Sequence, residues 1–327
     1  MWQVIGQPKA IALLEHSMER GQLSHAYLFV GPPHVGKMTL ALNLAEAVNC
    51  PAKNVPCNEC TSCRRIAAGK HADVQIIDLT SAEKGEISID QIREMQLAAN
   101  LPPYEGKCKV FIINRAELLS QEASNCLLKT LEEPLPQVLF ILLTSRERLL
   151  LPTIISRCQR VELPPLPITR TKEVLSEHYG MAEQKLELLA RLSRGCLGWI
   201  LLAMQDERLL EEHSHKLTTL VNLGYASRKQ RLMFATELAT QFSKNREQLE
   251  EVLTLWLSWW RDLLLTKGGN DGFITNIDRK SSLLQQVENY TMEQIKNFTH
   301  HLQIVTKQLE QNANPRLVLE VLMLNMP

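Results

Sequence analysis

Gly31-Pro-Pro-His-Val-Gly36-Lys37-Met38-Thr39 follows the apolar run Ala26-Tyr-Leu-Phe-Val30 and precedes the helical pattern Leu40–Asn49. The order strand, glycine loop, helix is that of a phosphate-binding P-loop. Glycines let successive backbone N–H groups close around an anion, and the N-terminus of the next helix adds partial positive charge. Gly31, Gly36 and Lys37 are therefore candidate nucleotide-binding residues. Lys37 is expected to reach the outer phosphates of ATP or ADP. The position after the lysine ordinarily carries a Ser or Thr hydroxyl for Mg2+, and here it is Met38, whose thioether has little affinity for a hard cation. Thr39 stands one place further on and substitutes only if the loop shifts register. The alternative to a P-loop is a chance glycine turn, against which the flanking strand and helix argue.

The chain has 327 residues, more than one small core accommodates, and two or three domains are expected. Its 36 basic and 36 acidic residues balance, which removes the global positive field of an autonomous nucleic-acid binder. No apolar run approaches the roughly 20 residues that span a bilayer. The start, Met-Trp-Gln-Val-Ile-Gly-Gln, lacks the basic and apolar regions of a secretion signal, so a cytoplasmic address is expected.

Eight cysteines in such a chain read as thiols or metal ligands rather than disulfides. Cys50, Cys57, Cys60 and Cys63 lie within one short stretch, with two C-x-x-C steps sharing Cys60. Four soft ligands at that spacing predict a structural Zn2+ site with no open coordination position, the alternative being unpaired reduced thiols.

Beyond the cysteines, helices are predicted at Arg64–Lys70, Ser88–Asn100 and Glu117–Glu132, and strands at Val74–Asp78, Lys109–Ile113 and Val138–Leu143. Continuous apolar strands alternating with helices imply an α/β domain, a parallel sheet covered on both faces. Leu163-Pro-Pro-Leu-Pro167 marks a boundary, after which the pattern is all helical. The expected domains are 1–164, with a knuckle at 50–63, a three-helix unit at 165–206, and a helical domain at 207–327. Leu249, Val252, Leu253, Trp256, Trp259, Leu263 and Leu264 form one stripe, with the tryptophans read as core or subunit contact.

A P-loop hydrolase needs carboxylates at a second strand end to position magnesium and the attacking water. The strand Val110-Phe-Ile-Ile113 leads instead into Asn114 and Arg115. Glu117 is the nearest carboxylate and reads as first-turn charge of the helix it would open.

His25-Ala-Tyr-Leu-Phe, the P-loop, the knuckle after the P-loop helix, Asn125-Cys-Leu-Leu-Lys-Thr-Leu-Glu-Glu-Pro134, Pro152-Thr-Ile-Ile-Ser-Arg-Cys158 and Asn312-Ala-Asn-Pro-Arg-Leu-Val-Leu-Glu320 together resemble bacterial clamp-loader subunits of the AAA+ class. The resemblance covers essentially the whole chain. It implies an AAA+ module of P-loop domain and helical lid, followed by a collar domain for oligomerisation. It also implies a hetero-pentameric ring with gamma/tau and delta subunits of DNA polymerase III, which uses ATP to place a sliding clamp on primed DNA.

Within that family the losses are selective. Met38, Asn114 and Arg115 depart from the ATP-hydrolysing pattern, and Gly195-Cys-Leu-Gly198 leads to Trp199 where a sensor arginine is expected. Thr144 and Ser145 stand where a polar residue could still sense a phosphate. The pattern resembles the non-hydrolysing delta-prime type more than gamma/tau. The family further implies that Arg157 reaches a neighbour's γ-phosphate as a finger in trans, against the plainer reading of a surface ion pair. The alternative function is an active ATPase motor, either gamma/tau-like or a helicase-loader relative, using Thr39 and an acid elsewhere.

Overall fold

Where a strand is apolar at every position, both of its faces must be covered, and this alone puts it inside a sheet flanked by helices. The computed structural model describes residues 2–79, 85–206, 208–242, 246–311 and 313–327. Its elements run α1 (Pro8–Glu19), β1 (Ala26–Val30), α2 (Lys37–Asn49), α3 (Thr61–Ala67), β2 (Val74–Ile77), α4 (Ile89–Ala99), β3 (Lys109–Ile113), α5 (Gln121–Glu132), β4 (Val138–Thr144), α6 (Pro152–Ile155) and β5 (Gln159–Glu162). The five strands are parallel in the order β2-β3-β4-β1-β5. The apolar runs β3, β4 and β1 occupy the centre, while β2 and β5, which carry polar residues, lie at the edges.

Alternation along each central strand divides the core in two. Tyr27, Phe29, Val110, Ile112, Leu139 and Ile141 pack on one face with Leu14, Leu40 and Leu44. Leu28, Phe111, Ile113, Phe140 and Leu142 pack on the other with Ile92, Met95 and Leu127. The α/β reading is borne out.

Two helix starts differ from expectation. The helix expected from Arg64 begins at Thr61, because Cys60 caps it and its Sγ accepts the Cys63 N–H. The helix expected from Glu117 begins at Gln121, because Ser120 is its N-cap, accepting the Ala123 N–H. Glu117 lies instead in a separate 3-10 turn, Ala116–Leu118.

The chain divides into two compact units, one through Leu166 together with Gly195–Trp199, the other comprising Pro167–Arg194 and Ile200–Pro327. Elements of the remaining chain are α7 (Ile168–Tyr179), α8 (Glu183–Leu192), α9 (Leu197–Gln205), α10 (Arg208–Leu223), α11 (Arg228–Phe242), α12 (Arg246–Lys267), α13 (Lys280–Val287), α14 (Met292–Glu310) and α15 (Pro315–Leu324). The expected boundary residue Glu207 and Asn312 of the last motif lie outside the described residues. In the helical unit the stripe on α12 is core, with Trp256, Trp259 and Trp260 each at most 1 % exposed. Trp256 and Trp260 pack on Phe298 of α14 at ring-centroid distances of 5.4 and 4.4 Å. The Trp259 indole donates to Gln286 at 2.7 Å.

Candidate functional site

The P-loop follows β1 at the carboxyl end of the sheet, the side on which open α/β sheets bind ligands. Gly36 has φ +103°, a conformation that a Cβ makes strained, and α2 starts directly after it at Lys37. Gly31 donates its N–H to the Thr144 carbonyl at 3.2 Å, joining the loop to the end of β4. The Lys37 ammonium donates to the Gly31 and Pro32 carbonyls at 2.6 and 2.8 Å, so it is folded onto its own loop. Burial pushes its pKa down to about 8, against the opposing pull of the Glu117 carboxylate. Met38 packs against the core between the sheet and α1 and α2, which explains a thioether at this position: it is an apolar contact. Thr39 is half-buried on α2.

Asn114 and Arg115 are engaged elsewhere. The Asn114 amide donates to Asp78 Oδ2 at 2.8 Å, and the Arg115 guanidinium donates twice to Asp78 Oδ1, at 3.0 and 2.6 Å. Burial works to raise the Asp78 pKa, but the hydrogen bonds from Asn114 and Arg115 outweigh it and hold the carboxyl low. The polar groups at the end of β3 are thus closed upon the end of β2.

Glu117 was missed as a site residue by sequence reasoning. Its side chain is 2 % exposed, and Oε1 accepts the Ser145 hydroxyl at 2.8 Å and the Ser145 N–H at 3.3 Å. Arg146 Nε stands 3.9 Å from the same oxygen. Oε2 is buried and has no hydrogen-bond partner among the described residues. The available signal was Ser120, whose capping role starts the helix at Gln121, four residues after Glu117 would have begun it. Ser145, read as a phosphate sensor, is committed to this carboxylate, and Thr144 Oγ1 accepts the Arg146 N–H at 3.0 Å.

Gly195–Trp199 returns to the same unit as the P-loop. Gly198 donates its N–H to the His34 carbonyl at 2.9 Å, and a Cβ there would lie 2.7 Å from that oxygen. Trp199, where a sensor arginine is expected, packs partly buried against the sheet core, one residue after this backbone clasp on the loop.

The four knuckle cysteines converge: their Sγ atoms all lie within 4.8 Å of one another, with Cys57 and Cys63 3.9 Å apart. A tetrahedral ion with bonds of about 2.3 Å to sulfur needs separations of roughly 3.8 Å. Cys57 Sγ accepts the Cys60 N–H at 3.3 Å, and Cys60 Sγ accepts that of Cys63 at 3.4 Å. The N–H groups of Cys60 and Glu59 bring the Cys57 thiol down to about 6, while burial pushes the Cys63 thiol of the same cluster up. The donor set fits a metal ion. Lys107 secures the knuckle's start by donating to the Cys50 carbonyl at 2.7 Å.

Arg157 follows α6. Its guanidinium pairs with Glu132 at 2.7 Å and donates to the Thr153 carbonyl at 2.9 Å, with the Arg157 side chain 33 % and the Glu132 side chain 50 % exposed.

Residues 6–167 match the family model described as DNA polymerase III, delta subunit, and residues 209–326 match the one described as DNA polymerase III, delta subunit, C terminal. DNA polymerase III subunit delta' of Bacillus subtilis is 30% identical over 321 residues, covering 97% of this chain and 95% of that protein. DNA polymerase III subunit tau of Escherichia coli is 36% identical over 201 residues, which is 59% of this chain and 31% of that longer protein. A solved gamma subunit-related protein of Thermotoga maritima aligns over 95% of this chain and 97% of its own, with 23% identity and a TM-score of 0.47. The likeness to the Bacillus subtilis protein extends through both the P-loop sheet and the helical unit, and the chain belongs to the family of DNA polymerase III delta-prime subunits.

Proposed function

We propose that this chain is a non-hydrolysing member of a clamp-loader ring, assembled with gamma/tau and delta subunits to place a sliding clamp on primed DNA. The observation that carries this reading is the closure of Asn114 and Arg115 upon Asp78, with Met38 packed against the core. No carboxylate follows β3 directly, and no hydroxyl follows Lys37, so magnesium lacks both of its usual anchors. Lys37 and the loop N–H groups still suit a phosphate, and ATP or ADP binding is expected to be weak and nearly independent of Mg2+. Zn2+ held by Cys50, Cys57, Cys60 and Cys63 is structural, since four thiolates leave no position for substrate. Residues 165–206 serve as the lid and 207–327 as the oligomerising collar.

Arg157 acts in trans on a neighbour's ATP site in this reading. A guanidinium stays charged and offers a fork of donors to phosphoryl oxygens. Its intrachain pair with Glu132 is half-exposed, and such surface pairs contribute only about 0–1 kcal/mol, so exchange for a phosphate is readily met. In a reconstituted loader, Arg157→Ala is expected to leave assembly intact and to lower clamp- and DNA-stimulated ATPase and clamp loading, and Arg157→Lys to restore little. Full ATPase and loading rates in an Arg157→Ala ring would show that the arginine is only an ion-pair partner.

The buried Glu117 favours a second reading, an ATPase motor that has relocated its acid. Steady-state ATP turnover by the isolated chain, abolished by Lys37→Ala, would establish that reading and remove the first.

A further inference from the structure

Glu117 has a buried carboxylate whose Oε1 is held by Ser145 and whose Oε2 has no hydrogen-bond partner among the described residues. Its position follows from backbone connections alone. Gly31, the first P-loop residue, is bonded to Thr144, and the next residue along, Ser145, holds Glu117 by two hydrogen bonds. The sheet places β4 between β3 and β1, so a group following β3 and tied to the end of β4 faces the loop that follows β1. This is the region of a P-loop site that receives the outermost phosphate, because the lysine bridges the second and third phosphates and strand-end groups lie beyond.

In a hydrolase, negative charge there is offset by magnesium. Here Met38 is an apolar contact and Asn114 is spent on Asp78, so a metal joining Glu117 to a phosphate lacks further protein anchors. Arg146 Nε stands 3.9 Å from Oε1, the oxygen that Ser145 already holds, and the Glu117 charge also acts on the Lys37 ammonium.

We infer that Glu117 makes this P-loop selective for nucleoside diphosphates, its buried carboxylate opposing the third phosphate of a triphosphate. The inference rests on the reading that the loop binds phosphate at all. Two like charges several ångströms apart at a partly buried site interact strongly enough to change affinity tenfold or more, by order of magnitude. Lys37 is then engaged by the second phosphate in place of the Gly31 and Pro32 carbonyls.

The test is calorimetric titration of the full chain with ADP and with ATP, each in EDTA and in Mg2+, for the wild type, Glu117→Gln and Glu117→Ala. Gln keeps the acceptor for Ser145 and removes only the charge; Ala removes the charge by truncation and guards against an effect peculiar to the amide. The wild type is expected to bind ADP about tenfold or more tightly than ATP in both media, and both variants to lose most of that preference through a gain in ATP affinity. Equal affinities in the wild type, a preference for ATP in either medium, or a diphosphate preference that persists in both variants overturns the selectivity while leaving the phosphate site standing. Absence of binding by either nucleotide to all three proteins overturns the phosphate site and the selectivity together.

Discussion

The knuckle and the P-loop site are built in opposite ways. All four candidate metal ligands lie between Cys50 and Cys63, and the local turns and the start of α3 suffice to bring their sulfurs within 4.8 Å. The P-loop site draws on residues 31–39, 78, 114–117, 144–146 and 195–198, segments joined only because strands far apart in sequence lie side by side. A local site is specified by spacing. A distributed site is specified by which strands are neighbours, and its chemistry can be rerouted by changing one strand end.

The contrast is broken most forcefully at the knuckle. Cys50→Ser together with Cys63→Ser removes the two buried ligands, and bound zinc measured by elemental analysis should fall from about one per chain to near none. Hydrogen exchange should rise over roughly residues 50–70 and stay low in the central strands, because the sheet's two cores do not depend on the metal. Exchange that rises equally in β3 and β4 would mean that the knuckle supports the whole unit.

An intermediate effect is expected at Lys37. Burial lowers its pKa to about 8 while the unfolded value stays near 10.5. Phosphate binding needs the ammonium, so ADP affinity should fall about tenfold between pH 7 and pH 9 as the free site loses its proton. Stability responds with the other sign. Between about 8 and 10.5 the unfolded chain holds the extra proton, so the lysine's unfavourable contribution fades as pH rises through that window. A pH-independent ADP affinity in calorimetry would place Lys37 outside the phosphate site.

The smallest expected effect sharpens the comparison from the other side. Met38→Thr restores the hydroxyl at the position after the lysine, yet ATP turnover by the isolated chain should stay at background. Asn114 and Arg115 still close on Asp78, and a distributed site is not rebuilt from one of its segments. Turnover well above background in this variant would show that the magnesium anchor alone was missing.

Much of the molecule was legible from composition and period. Apolar runs foretold β1, β3 and β4, and the three-and-four spacing on α12 foretold the buried face around Trp256 and Trp259. Glu117 was misread for a definite reason. Its distance in sequence from the apolar run of α5 suits a first-turn acid, and only the cap at Ser120 moves the helix start beyond it.

Neighbours along the chain and fixed local geometry already specify the strand–loop–helix of the phosphate site, the convergence of four cysteines, and the absence of acids directly after Ile113. Tertiary structure alone decided that Asn114 and Arg115 turn to Asp78, that Glu117 is drawn under Ser145, that Gly198 clasps the P-loop at His34, and that Arg157 rests on Glu132. These are contacts between segments tens of residues apart. Their partners are set by strand order and by the need to pair buried charges and polar backbone groups, and no local pattern encodes which distant group will be the one within reach.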